Sequence, residues 1–423
     1  MAQSDESNKY RNHLDKARER AKNELNKLKK ENETHSINYN STEGEEEKKE
    51  EIYESWVRGC LNLYEEINKK ENGFIPDLQC QFFDRNGFII LRSFSPFEDE
   101  VVPMKAHMKF LVEEYWHPND KDEATAIFRT DQDQIKAQGS SDYFLDSANN
   151  VHFFAENGAV YSDGSLKAEY NLDKMAALNK SGHALHLAPT ISSPSSNSPT
   201  KIIQNSFYSY TNSQKIYDLV TSLGWKNPVV PQSMYIFKQP RIGGVVTSHQ
   251  DSTFLHTTPK QSCLGLWLAL DDATLTNGCL WVRPKSHKEP LRRKFKRNLD
   301  YFEIHNHSSP QMVFEDLTSS SSSKQDVEWE GSLPGGEVEN EETIPSLLSA
   351  GFIPVECKAG DLLVFNGELD HLSLANTSEK QRHTFQLHMV EGEKAGVKWS
   401  ESNWLQYPEG RTFFALHGDQ TIQ

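Results

Sequence analysis

At 423 residues, with 36% hydrophobic residues and a net charge of −16, the chain has enough apolar material for one large core diluted by polar tails and insertions. The acidic surface argues against a broad nucleic-acid footprint, and the absence of any run of about 18 apolar residues argues against a membrane span. Five cysteines, without Cys-x-x-Cys spacing, argue against a disulfide framework or zinc finger and point to a reduced, cytoplasmic setting.

Residues 1–75 read as a charged N-terminal extension, helical or disordered. Arg18 to Lys30 mixes charges with Leu25 and Leu28, as an exposed helix does, and Glu45 to Glu51 is a charge run with nothing to bury. A solvated tail is the plain reading; a helix that binds a protein partner through Trp56, Leu61 and Leu63 is the sharper one. Met1-Ala2-Gln3-Ser4-Asp5 lacks a basic then apolar pattern, so no signal peptide is expected. Thr421-Ile422-Gln423 is not a peroxisomal tripeptide.

Around Phe82 the texture changes. Phe82 to Asn86 reads as a polar turn running through Gly87 into a buried strand that ends at Leu91. Met104, Met108, Leu111 and Val112 have helical spacing. Val151 to Phe154 reads as a strand, and Lys180 to His186, taken alone, as a polar turn with two histidines. Residues 191–200 are a Ser/Pro loop insertion, and a helix is expected from Ser206 to Ser222. Strand signals then crowd in: Ser233 to Lys238, Cys263 to Leu270, Cys279 to Arg283 after the Asn277-Gly278 turn, Asp361 to Phe365, and His383 to Met389. The polar stretch before residue 352 reads as partly disordered, and the basic run Arg292 to Arg297 as a solvated loop or a receiver of an acidic substrate such as a CoA phosphate. Short strands with turn punctuation indicate an all-β barrel or jelly roll.

The chemistry centres on Thr247-Ser248-His249-Gln250-Asp251. On an extended strand, residues two apart share a face, so His249 and Asp251 present two ligands side by side. A second imidazole would complete the two-His-one-carboxylate triad of non-haem Fe(II) sites. The same spacing recurs at His13/Asp15, His287/Glu289 and His417/Asp419, so context must separate them. His371 follows the Leu362 strand and suits the distal ligand. Arg382 opens the next strand, where its guanidinium can fork onto a dicarboxylic cosubstrate, and Ser373 can add a hydroxyl.

With these motifs the chain resembles the phytanoyl-CoA dioxygenase family. The resemblance is carried in order by Gln138 to Phe144, Lys180 to His186, Gln232 to Pro240, His249-Gln250-Asp251, Leu270 to Leu275, Asn277 to Trp281, and Trp399 to Gln406. It implies a mainly β domain over residues 76–408 with flanking helices and a double-stranded β-helix (jelly-roll) core. Insertions would lie near 188–203 and 318–346, with a C-terminal tail at 409–423. The second insertion falls between iron ligands in sequence and would border the substrate mouth. The resemblance also implies Fe(II) on His249, Asp251 and His371, with 2-oxoglutarate as cosubstrate and O2 consumed. Cosubstrate contacts map to Lys180, Met234, Gln250, Trp267, Ser373 and Arg382, besides the ligands. Pro284-Lys285-Ser286-His287 departs from the family's Pro-Gly-Ser-His, and His287 reads as structural or substrate-facing. The expected activity is hydroxylation of a C–H bond in a small molecule, lipid-like or CoA-linked by analogy. The intact triad and anion clamp argue against a catalytically silent scaffold.

Overall fold

Leu264 to Ala269 reads Leu-Gly-Leu-Trp-Leu-Ala, and all six residues are buried. A strand buried on both faces needs a layer on each side, and the rest of the architecture supplies them. The computed structural model describes residues 77–118, 125–129, 141–188, 205–317, 350–407 and 410–416, with Ile191–Ser192, Ile202–Ile203 and Leu347 between them. Residues 1–75, most of both insertions, residues 138–140 and the His13/Asp15 and His417/Asp419 pairs lie outside the described residues.

In chain order, helix α1 (Asp77–Asn86) leads into β1 (Phe88–Leu91), followed by α2 (Val102–Tyr115), α3 (Asp142–Asp146), β2 (Val151–Ala155) and β3 (Leu178–His183). Helices α4 (Ser206–Thr211) and α5 (Gln214–Ser222) precede β4 (Pro228–Lys238), β5 (Val246–His249), β6 (Leu264–Ala269) and β7 (Leu280–Val282). Then come β8 (Arg293–Arg297), β9 (Met312–Asp316), β10 (Ile353–Val355), β11 (Leu362–Asn366), β12 (His371–Ser373) and β13 (Arg382–Glu391).

The major sheet runs β1-β11-β6-β13-β4-β3-β2, with Phe414–Ala415 added against β4, and the minor sheet runs β10-β7-β12-β5. The pairings in both sheets are antiparallel. Period-two alternation decides what lies between and outside them. Leu264, Leu266 and Leu268 of β6 turn outward onto Met104, Met108 and Leu111 of α2 and Ile216 and Leu219 of α5. Trp267 turns inward, where it joins Trp281, Val282, Leu363 and Phe365 in a second cluster that joins the two sheets. Burying one such side chain fully is worth about 1.5–3 kcal/mol, so both layers hold the sheets in place. This is a double-stranded β-helix with helices on the outer face, as expected.

Four local expectations are corrected. Phe82 to Asn86 is the end of α1, because Phe83 is drawn into the core. The turn falls at Gly87, where φ is +83° and a Cβ would lie 2.4 Å from His287 Nδ1. Lys180 to His186 is no polar turn: Lys180 to His183 sit on β3 between β2 and β4, and a 3-10 turn follows at Leu185–Leu187. The single helix from Ser206 to Ser222 is two, broken where Asn212 ends α4 and Ser213 starts α5. The basic run is β8, paired with β9 into an ordered hairpin, because Phe295 and Met312 bury against Phe144 and Trp404. Among the described residues, no helix is long and apolar enough to cross a membrane.

Candidate active site

His249 is the last residue of β5, and His371, the first of β12, pairs directly opposite it. Gln250 continues the extended backbone (φ −114°, ψ 128°), so Asp251 returns to the same side before the chain enters a 3-10 turn at Asp251–Thr253. His249 Nε2 lies 3.5 Å and His371 Nε2 3.7 Å from Asp251 Oδ1. One ligand atom from each residue falls within 4.8 Å of the others. Metal bonds to imidazole and carboxylate run to about 2.0–2.2 Å, so one ion fits between them.

The tautomers suit a metal. His249 Nδ1 lies 2.8 Å from Thr247 O and His371 Nδ1 lies 3.0 Å from Leu369 O. A carbonyl only accepts, so each Nδ1 carries the proton and donates, leaving the Nε2 lone pair free for the ion. Burial, reinforced by His249 and opposed by Asp251, lowers His371 to about 4, so it is neutral at pH 7. Burial alone would raise the Asp251 carboxyl, but His388 and His371 together with the His249 contact outweigh it and hold it well below the usual range. Both shifts leave the deprotonated forms that metals bind.

A supporting contact escaped the sequence reading. His388 Nε2 lies 2.9 Å from Asp251 Oδ2, while Gln232 Nε2 donates to His388 Nδ1 at 3.1 Å. The Gln232 amide makes Nδ1 the acceptor, so Nε2–H donates to the carboxylate. Oδ2 is thereby occupied and Oδ1 faces the histidines.

The triad opens into a cavity lined by both sheets. Arg382 is buried in it, with Cζ 5.4 Å from the Trp267 ring. Its guanidinium makes a long hydrogen bond, Nη1 to Thr384 Oγ1 at 3.4 Å, and among the described residues its Nε and the Trp267 indole N–H have no hydrogen-bond partner. Burial lowers Arg382 to about 10, which leaves it cationic at pH 7. A buried guanidinium with unspent donors costs free energy unless an anion meets it, and the distal carboxylate of 2-oxoglutarate would supply such an anion. The residues present therefore fit both iron and cosubstrate.

Met234, Lys180 and Ser373 line the same cavity. Lys180 lies with Nζ 3.8 Å from the Phe128 ring centre, and burial lowers it to about 7. Gln250 is different. Its side chain donates to Glu368 O at 3.0 Å and accepts from the Arg292 N–H at 3.1 Å, away from the cavity lining. His287 is structural, bonded to Asp84 O, and Glu289 pairs with Arg283 instead. Glu156 is a second unforeseen cavity residue, raised to about 7 by burial against the pull of Asn179 and Lys238.

Non-haem iron dioxygenases that use 2-oxoglutarate are the enzymes built on this arrangement, and the chain is one of them. It belongs to the phytanoyl-CoA dioxygenase family, whose model matches residues 83–384. Phytanoyl-CoA dioxygenase 1 of Oryza sativa subsp. japonica is 39% identical over 336 residues, covering 79% of this chain and 95% of that protein. Phytanoyl-CoA dioxygenase domain-containing protein 1 of Mus musculus is 36% identical over 329 residues, covering 78% and 94%. The solved structure of EctD from S. alaskensis with 2-oxoglutarate and 5-hydroxyectoine aligns at a TM-score of 0.43 and 16% identity, covering 82% of this chain and 85% of that one.

Proposed function

We propose that the protein hydroxylates a C–H bond of a small, largely apolar molecule, lipid-like or CoA-linked, with Fe(II) held by His249, Asp251 and His371. The observation that carries this reading is the convergence of those three ligand atoms within 4.8 Å at the wall of a cavity that also holds Arg382. Iron with 2-oxoglutarate and O2 supplies the oxidant for an unactivated C–H bond when bound. The protein's share is geometry and exclusion of water. Arg382, with Ser373 and Lys180 nearby, orients the dicarboxylate. Phe128, Phe144, Phe254, Phe295 and Trp404 line the same cavity and favour an apolar group beside the iron. The carboxylate at Asp251 fills the position that a halide would need, which favours hydroxylation over halogenation.

Apart from Arg293, which lines the cavity with its guanidinium over Phe314, the basic run gives little support to a phosphate clamp. Lys294 donates to Ser400 Oγ, Lys296 pairs with Glu315, and Arg297 donates to Trp404 O. An apolar moiety is the better supported part of the substrate. The test is Fe(II)-dependent conversion of 2-oxoglutarate to succinate across a library of acyl, acyl-CoA and other apolar metabolites, with Asp251→Ala as control. Substrate-stimulated succinate release that the variant loses is the expected result. Turnover that survives Asp251→Ala, or no Fe(II)-dependent turnover at all, overturns the reading.

A further inference from the structure

We propose that Arg292 is a positioning residue for the iron centre, acting through a buried clasp behind the two histidine ligands; this rests on the iron reading above. Ser248 precedes His249 and Asp370 precedes His371. Neighbouring side chains on a strand point to opposite faces, so Ser248 and Asp370 face away from the ion. There they meet, with Ser248 Oγ donating to Asp370 Oδ1 at 2.5 Å. Arg292 then grips both oxygens of that carboxylate, NH1 on Oδ2 at 3.1 Å and NH2 on Oδ1 at 3.0 Å. Two parallel bonds from one guanidinium fix orientation as well as distance. Arg283 reaches Asp370 Oδ2 at 3.2–3.3 Å but divides its guanidinium with half-exposed Glu289.

Arg292 also reaches the third ligand's segment. Its backbone N–H donates to Gln250 Oε1, and Gln250 Nε2 donates to Glu368 O. One residue thus ties the 248–251 segment to the 368–371 segment. The tie matters because strand pairing alone is weak here: β12 and β5 match at His371↔His249 and again at Ser373↔Val246, with a register shift between. Ladder hydrogen bonds do not fix the histidine spacing over such an interrupted pairing. A carboxylate at 1% exposure, just ahead of β12 and bonded by Ser248 of β5, by Arg283 just after β7 and by Arg292 just before β8, does.

The test measures Fe(II) affinity by anaerobic equilibrium dialysis of the whole chain. Arg292→Met keeps the length of the side chain and leaves Asp370 paired with Arg283, so no buried charge is stranded. It is expected to weaken Fe(II) binding about 10–100-fold, the usual effect of removing a group that orients metal ligands. The KM for 2-oxoglutarate at saturating Fe(II) stays near the wild-type value. Arg292→Lys, which keeps the charge but not the fork, recovers part of the loss. Ser248→Ala shifts affinity in the same direction by less. A folded Arg292→Met protein with wild-type Fe(II) affinity overturns the inference, even if its thermal stability falls. Should Arg292→Met fail to fold, unchanged affinity in Ser248→Ala overturns it and weakened affinity supports it. A wild-type protein that binds no Fe(II) sinks the iron reading itself, and the clasp with it.

Discussion

Lys180 has an ammonium group that lies over a phenyl ring and, among the described residues, has no carboxylate paired with it. Burial moves its pKa from 10.5 to about 7. Below pH 7 the lysine is charged in folded and unfolded chains alike, and the folded state bears the cost of burying that charge. Between about 7 and 10.5 the unfolded chain holds a proton that the folded one has released, so this residue's contribution to stability rises with pH across that window. A dicarboxylate in the cavity prefers the opposite form. It binds the charged lysine better, so the KM for 2-oxoglutarate is expected to rise as pH climbs through about 7. Lys180→Met should remove that rise and leave a flatter profile. The measurement is KM against pH at saturating Fe(II) for both proteins. Identical profiles would mean that Lys180 does not meet the cosubstrate.

Strand β13 shows what alternation can and cannot reveal. Arg382, Gln386 and His388 turn into the cavity, while Phe385, Leu387 and Met389 turn into the helix-side core. A single strand therefore carries the anion clamp near one end and the partner of the iron carboxylate further along. His388→Phe keeps a ring of similar size and removes the Nε2 donor, leaving Asp251 Oδ2 without it. We expect Fe(II) affinity to fall about 10–100-fold, with the KM for 2-oxoglutarate little changed, as read by anaerobic dialysis and steady-state kinetics. Unchanged Fe(II) affinity would show that the carboxylate needs no such guide. Arg382 was legible beforehand because it opens a strand that follows a histidine in the right order. His388 was not, since 137 residues separate it from Asp251 and an inward histidine carries no mark in an alternating strand. Gln250 makes the same point in reverse. Alternation that puts His249 and Asp251 on one face sends the side chain between them to the other, where it braces Glu368 and Arg292. The basic run reads as solvated because five of its six residues are charged, whereas its single phenylalanine, Phe295, anchors the strand in an aromatic cluster.

Across the whole fold, the candidate iron ligands and the candidate cosubstrate cations stand on different sheets. His249 and His371 stand on the minor sheet, whereas Arg382 and Lys180 stand on the major one. Between the sheets, the apolar cluster around Trp281 and Phe365 gives way to the cavity, so there the layers lack a continuous apolar contact. A metal ion alone would therefore tie together segments of the minor sheet and Asp251. A 2-oxoglutarate molecule held by the metal and by Arg382 would join the layers. Ligands that bind only the folded state stabilise it by about 2.7 kcal/mol at one hundred times their dissociation constant. At roughly 2–4 °C per kcal/mol for domains of moderate size, each increment is measurable in an anaerobic thermal melt. Fe(II) should raise the melting temperature, and 2-oxoglutarate should raise it further only when Fe(II) is present. In Arg382→Ala the first increment should persist and the second should vanish, even with excess 2-oxoglutarate. Loss of both would mean that the arginine supports the metal site itself. Survival of both would place the dicarboxylate on another cation that lines the cavity, Lys180 of β3, Lys238 of β4 or Arg293 of β8, rather than on β13.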